Sequence, residues 1–204
     1  MSLRPARRLV GVAIGTGYLI GTFPTAATVA RRASGGTLDL REAGSGNPGA
    51  ANALNVLGAK AGAAVLMGDI GKGAVACGAG AFIAGPAGAQ LAGTAAVAGH
   101  CYPVWTGFKG GKGVATSVGQ CLVTFPAYFP IDVAVAVATA ASPRWKQRAF
   151  AATVVSSTCW VLGSVLWWKR SWSNAWGPRP TSLLPLASLL SSSMIIKRFL
   201  DAKS

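Results

Sequence analysis

Hydrophobic and polar positions along this chain separate into long blocks, the mark of buried spanning segments and not of strands or one-sided surface helices. A first apolar run covers residues 9–30, behind Arg4, Arg7 and Arg8. A second, 61–80, is interrupted only by Asp69 and Lys72, and a third covers 87–104. Residues 113–141 are apolar but carry Pro126 and Pro130 at their centre, and two prolines four apart break a helix. That stretch predicts two short helices joined by a turn, each below the ~20 residues of a full crossing. Runs at 149–168 and 181–196 complete the series. The expected fold is an all-α integral membrane protein of about seven transmembrane helices, some short, forming a single membrane-embedded domain over residues 1–204. The first run also has the form of a secretory signal with a cleavage site at Thr28-Val29-Ala30. The membrane character of the segments after it favours an uncleaved span.

Seven spans leave the termini on opposite faces, and the basic residues choose the orientation. With the N-terminus outside, the inner segments hold Arg31, Arg32, Arg41, Lys60, Lys109, Lys112, Arg144, Lys146, Arg148, Lys197, Arg198 and Lys203. The outer segments hold half as many: Arg4, Arg7, Arg8, Lys169, Arg170 and Arg179. Treating 113–141 as one span equalises the two sides and removes the bias. Tryptophans 160, 167, 168, 172 and 176 fit an interfacial belt beside the sixth span.

Composition agrees with this pattern. Apolar residues make up 51% and charged residues 12%, against roughly 25% charged in soluble domains. A disordered chain and a water-soluble enzyme are both excluded on that ground. The net charge is +14, yet the bases flank apolar segments, where they orient spans and meet anionic headgroups; no nucleic acid is expected as a partner. The four cysteines form no C-x-x-C pair and His100 is the only histidine, so neither a metal nor a cofactor is expected. Cys77, Cys101, Cys121 and Cys159 read as small packing groups. Gly11-x-x-x-Gly15 and Gly17-x-x-x-Gly21 read as close helix crossings.

Two glycine-rich loops fall on the inner face. The first runs from Arg41 to Asn52 through Gly44, Ser45, Gly46, Asn47 and Gly49. Its G-x-G-x-x-G spacing follows a membrane helix and not a strand, so a dinucleotide fold is rejected. The second runs from Phe108 through Lys109, Gly110, Gly111 and Lys112 to Thr116 and lacks Walker A spacing. Both have the chemistry of anion cradles: glycines that turn backbone N–H groups inward, lysines, and neutral donors from Ser45, Asn47 and Asn52. Tight turns carrying inner-face lysines would use the same residues. Asp69 and Lys72 lie one turn apart within a span, either as a functional pair or as a mutually neutralised structural one. His100 is a candidate proton carrier or a hydrogen-bonded structural histidine.

These residues resemble the bacterial acyl-phosphate-dependent glycerol-3-phosphate acyltransferases. The resemblance begins at Gly21-Thr22-Phe23-Pro24 and continues through Leu40-Arg41-Glu42, Gly44 to Ala50, Asn52, Leu57-Gly58 and Lys60-Ala61-Gly62. Asp69-Ile70-Gly71-Lys72-Gly73, Gly99-His100, Pro103 and Phe108 to Thr116 follow in order. It implies a seven-span fold in the bacterial cell membrane, N-terminus outside, with the C-terminus and the active site cytoplasmic. It also implies acyl transfer from acyl phosphate to the sn-1 hydroxyl of glycerol 3-phosphate, giving lysophosphatidate, the start of phospholipid synthesis. Ser45, Asn47 and Lys112 are the expected catalytic residues. Gly44, Gly46, Gly49, Asn52, Lys109, Gly110, Gly111, Asp69, Lys72, His100 and Thr116 are expected to bind substrate, in a monomer surrounded by membrane lipid.

The chain departs from the family pattern at Ala51, usually threonine, and at Asn55, usually arginine. It also departs at Arg144 to Phe150 and at Ser191 to Arg198, where the family's histidine and asparagine are missing. Those C-terminal positions are associated with the acceptor. Two other expectations follow: a non-catalytic paralogue that binds acyl phosphate or anionic lipid, and a small organic-anion transporter, for which the inverted repeat is missing.

Overall fold

A computed structural model describes residues 3–202, and Lys203 lies outside them. Among the described residues there are helices and no strands. They run α1 (Leu3–Gly21), α2 (Thr25–Ser34), α3 (Ala50–Leu57), α4 (Ala59–Cys101), α5 (Val114–Thr124), α6 (Phe129–Ala141), α7 (Arg148–Arg170) and α8 (Leu183–Asp201). α4 is two legs: Ala84 and Gly85 leave helical geometry just before Pro86, and Gly80 then packs against Gly88 across the fold. α1, both legs of α4, α7 and α8 are long apolar segments, with the shorter α5 and α6 between them. That is the expected all-helical bundle.

Three expectations from the hydropathy pattern are corrected. The first apolar run is not one helix: the chain breaks at Thr22-Phe23-Pro24 and restarts as α2, because proline cannot continue the hydrogen-bond ladder. Second, Gly11 and Gly15 form no close crossing, since a Cβ at either would meet nothing within 4 Å. Gly17 and Gly21 do form one, with a Cβ running into the backbones of Ala92 and Ala96 on the second leg of α4. Third, the tryptophan belt is smaller than expected. Trp160 is buried beside Cys121, Phe125, Tyr128 and Leu184, and Trp167 packs edge-on against Phe125, while Trp172 and Trp176 are exposed. Gly21→Val therefore lowers the unfolding temperature in detergent by an amount equivalent to about 1–3 kcal/mol, as overpacking does, whereas Gly15→Val leaves it unchanged.

α1 is bound into the bundle through Gly17 and Gly21, and its end lines the cavity described below. The short helices follow the expected break: Pro126 lies in the turn after α5 and Pro130 in the first turn of α6. Buried polar contacts tie the helices together. Gln120 of α5 donates to Thr94 Oγ1 of α4 at 3.2 Å and accepts from Ser191 of α8 at 2.8 Å. Ser164 and Ser188 join α7 to α8 at 2.9 Å. Cys77, Cys101 and Cys121 are buried and unbridged.

Connectivity brings the glycine loops, the start of α7 and the end of α8 to one end of the bundle. Phe150 meets Phe199, and the Arg198 guanidinium donates to Gly110 O at 2.5 Å and Gly111 O at 3.2 Å.

Candidate active site

The first loop is organised by one side chain. Asn52 is 3% exposed; its Oδ1 accepts from Ser45 N at 2.9 Å, and its Nδ2 donates to Leu40 O and Ala43 O, each at 2.9 Å. Gly44 and Gly46 adopt φ of +61° and +70°, which the curl around that amide requires. Asn52 is thus the clamp of the loop. Asn52→Ala removes three hydrogen bonds and costs about 2–3 kcal/mol, measurable as a lower unfolding temperature together with faster proteolysis between residues 41 and 49.

The second loop crosses back over the end of α4. Gly110 N donates to Cys101 O and Gly111 N to His100 O, both at 3.1 Å. A Cβ at Gly110 would strike His100 O, and one at Gly111 would strike His100 Nε2 and lie 3.2 Å from Pro48 O. Glycine is required here so that backbone can lie on the histidine. The same contact shows that the two glycine loops meet.

They meet at a cavity of about 240 Å³. Its walls include the α1–α2 break, Arg31, Arg41 and Pro48, together with Asp69, Lys72 and His100 of α4, Trp105 and Gly110-Gly111. Asp69, Lys72 and His100 are 2%, 8% and 8% exposed. Lys72 Nζ lies 2.8 Å from Asp69 Oδ1 and donates to Phe23 O at 3.2 Å. His100 Nδ1 faces the same Asp69 oxygen at 3.6 Å, beyond hydrogen-bond range, which leaves its Nε2 edge against Gly111 on the cavity wall. Asp69 thus faces both a lysine and a histidine, and with Arg31 and Arg41 added the lining is net cationic.

A second, apolar groove of about 580 Å³ adjoins the cavity, lined by Leu19, Ile20 and Val75. Thr22, Phe23, Pro24, Lys72 and Trp105 line both spaces. The Trp105 indole N–H donates to Thr22 Oγ1 at 3.0 Å, so one tryptophan and one lysine stand where polar and apolar surfaces join.

Of the expected site residues, Asp69, Lys72, His100, Gly110 and Gly111 line this cavity. Ser45 and Lys109 are exposed nearby on the loops, and Asn47 packs its amide beside Gly49. Thr116 is fully buried against Gly73. The Lys112 ammonium stacks 4.1 Å from the Phe199 ring centroid, away from the cavity lining. The amides of Ser45, Gly46, Gly49, Gly110 and Gly111 all bond to protein acceptors: Asn52, Ala43 and Asn47 for the first loop, Cys101 and His100 for the second. The positive charge that attracts anions into the cavity is carried by the side chains of Lys72, Arg31 and Arg41. Sequence reasoning passed over Arg31, Thr25, Thr22 and Trp105. The signal for them was the proline after Thr22-Phe23, which turns the end of a span into a wall. No group of three His, Cys, Asp or Glu residues among the described residues is placed to hold a metal ion.

The departures from the family pattern also have a location. Ala51 and Asn55 are exposed on α3. Ile195 and Phe199 build an apolar cluster with Val97 and Cys101 behind the second loop.

This architecture recurs in solved structures. The glycerol 3-phosphate form of PlsY (YgiH), an integral membrane glycerol 3-phosphate acyltransferase, superposes with a TM-score of 0.73 at 27% identity, covering 96% of this chain and 88% of that one. Its lysophosphatidic acid form gives 0.74 at 26% identity, covering 94% and 88%. The glycerol-3-phosphate acyltransferase of Exiguobacterium sibiricum is 50% identical over 59% of this chain and 57% of its own length. That of Bacillus velezensis is 46% identical over 62% and 65%. The chain thus spans less than two thirds of the length of these curated relatives. That of Thermoanaerobacter pseudethanolicus is 37% identical over 76% of this chain and 75% of its own. The profile described as glycerol-3-phosphate acyltransferase matches residues 11–200, and with a match of that extent this integral membrane chain belongs to the glycerol-3-phosphate acyltransferase family.

Proposed function

We propose that the protein transfers a fatty acyl group from acyl phosphate to the sn-1 hydroxyl of glycerol 3-phosphate, giving lysophosphatidate at the cytoplasmic face of a bacterial cell membrane. The observation that carries this reading is the junction of a cationic cavity with an apolar groove across Lys72 and Trp105. An acyl phosphate has the same polarity profile, a phosphate anion joined through a single carbonyl to a long apolar tail. The twofold excess of basic residues on the loop face supports the cytoplasmic orientation.

The chemistry follows from the substrates. The acceptor hydroxyl oxygen attacks the acyl carbonyl, an ester C–O bond forms, and the bond between the acyl carbon and the bridging oxygen breaks, its electron pair leaving with that oxygen on phosphate. No covalent enzyme intermediate is needed. The protein must gather two anions despite their repulsion and align hydroxyl with carbonyl. With the tail in the groove, the carbonyl falls at the junction, where the Lys72 ammonium stabilises the developing charge. Asp69 is already committed to Lys72, so His100 Nε2 is the group that takes the hydroxyl proton. Ser45 and Lys109, exposed on the two glycine loops, steer the phosphates inward.

The apolar cluster at Ile195 and Phe199 favours a second reading, a paralogue that binds acyl phosphate without transferring it. Purified protein in nanodiscs given palmitoyl phosphate and glycerol 3-phosphate decides between them. Lysophosphatidate with stoichiometric phosphate release is expected. Saturable palmitoyl phosphate binding without product would establish the paralogue, and sulfate or phosphate flux without either would establish a transporter.

A further inference from the structure

Arg198 is a cation spent on backbone. It sits half-buried in the last turn of α8 and pairs with no carboxylate among the described residues. Its Nη2 donates to Gly110 O at 2.5 Å and its Nε to Gly111 O at 3.2 Å, while the guanidinium lies 5.6 Å from the Tyr102 ring centroid. Two donors of one rigid fork thus meet two successive carbonyls, a geometry that a lysine ammonium does not reproduce.

The same two glycines are held from the other side. Gly110 N and Gly111 N donate to Cys101 O and His100 O at the end of α4. The loop is therefore clamped with its amides on one helix and its carbonyls on another. Gly111 lies on His100 Nε2, with no room for a Cβ between them. His100 borders the open space of the cavity, and the Gly111 backbone is the wall on which its ring rests. The root of Arg198 is fixed in turn, because the adjacent Phe199 packs with Val97, Cys101 and Ile195. Contacts thus run from α8 through the loop carbonyls to one edge of the imidazole, whose other nitrogen faces Asp69.

We propose that Arg198 is a positioning residue for acyl transfer: through Gly110 and Gly111 it holds the His100 ring in the orientation that receives the acceptor's proton. The catalytic consequence rests on the reading of His100 given above; the hold on the ring does not. Without the fork the two carbonyls lose their donors and the loop is free to lift from the end of α4. A displacement of about 1 Å at a reacting group can cost about 100-fold in rate.

His100 is the only histidine in the chain, so protein grown on isotope-labelled histidine gives a single imidazole to observe. The test combines nitrogen NMR of that ring with steady-state kinetics on palmitoyl phosphate and glycerol 3-phosphate, using the full chain in nanodiscs. Arg198→Gln and Arg198→Lys are both expected to move the ring signals and to lower kcat about 10-fold or more, the scale of a misplaced group, with KM for both substrates unchanged. Lysine keeps the charge and loses the fork, so a change shared by both variants reports position and not charge. Lys197→Gln, on the same turn but exposed and paired with Asp201, changes neither readout.

Unmoved ring signals in folded Arg198→Gln overturn the proposal. Signals that move in Arg198→Gln and return in Arg198→Lys also overturn it, since the effect is then one of charge. If Arg198→Gln does not fold, wild-type ring signals in Arg198→Lys are the overturning result. A raised KM for glycerol 3-phosphate with kcat unchanged makes Arg198 a substrate contact and overturns it as well. If the ring signals move in both variants while turnover stays at the wild-type rate, or if the wild type makes no product, the reading of His100 as proton acceptor fails and the hold of Arg198 on the ring stands.

Discussion

Asp69→Asn is expected to reduce acyl transfer by at least about 100-fold, as loss of a charge-stabilising group does, and to destabilise the fold at the same time. The substitution leaves the Lys72 ammonium 8% exposed, donating to the neutral Phe23 O. Removing one partner from a buried ion pair costs about 3–5 kcal/mol, because the remaining charge is stranded. Lys72→Met reverses the problem and strands Asp69 beside His100. The informative variant is the double one. Replacing a buried pair by groups of similar shape without charge is close to neutral for stability, so Asp69→Asn with Lys72→Met should return the unfolding temperature to near that of wild type. Activity should stay lost, because the lysine at the polar–apolar junction is gone. Thermal unfolding in detergent and transfer rates in nanodiscs measure the two effects separately. If the double variant recovers both stability and turnover, the pair is only structural, which is the other reading that its place inside a span allows.

Much of the bundle was legible because apolar blocks, interrupting prolines and the basic-residue count all act through one physical term, the cost of exposing polar groups to hydrocarbon. The turn at Pro126 and Pro130 was readable for that reason, and α5 and α6 followed. The break at Thr22-Phe23-Pro24 was not, since a lone proline in a long apolar run can kink a helix or end it, and only packing decides. Gly11-x-x-x-Gly15 and Gly17-x-x-x-Gly21 are equivalent as patterns. Only the second faces α4, because rotation about the axis of α1 is set by its neighbours.

The site was legible in part for a related reason. Both glycine loops announced themselves, and they do converge, but spacing cannot say whether a loop amide points outward or bonds within the loop. Asn52 shows the difference. It looked like a donor to substrate, and its three hydrogen bonds are spent on holding the loop. Asp69, Lys72 and His100 were visible as costly polar groups in a membrane segment. Their meeting needed the fold at Ala84-Gly85, which brings the two legs of α4 side by side.

That meeting leads to the second large effect. His100→Gln should lower kcat for acyl transfer by about 100-fold or more, within the range of a positioned general base, with KM for both substrates nearly unchanged. Glutamine keeps a polar side chain of similar reach but cannot carry the proton released by the acceptor hydroxyl. The histidine is held between two contacts, with Asp69 facing Nδ1 and Gly111 lying against Nε2. Gly111→Ala should therefore damage the same step without removing the imidazole, since its Cβ would press against Nε2 and displace the ring. The cationic side chains of Lys72, Arg31 and Arg41 are untouched in this variant, which is why binding should survive when turnover falls. Steady-state kinetics with palmitoyl phosphate and glycerol 3-phosphate in nanodiscs separate the two parameters. A His100→Gln enzyme that keeps kcat within about threefold of wild type, well below the general-base range, would transfer the proton to a phosphate oxygen of the substrate itself. The imidazole would then act by supporting Gly110-Gly111, and Gly111→Ala would remain the more damaging change.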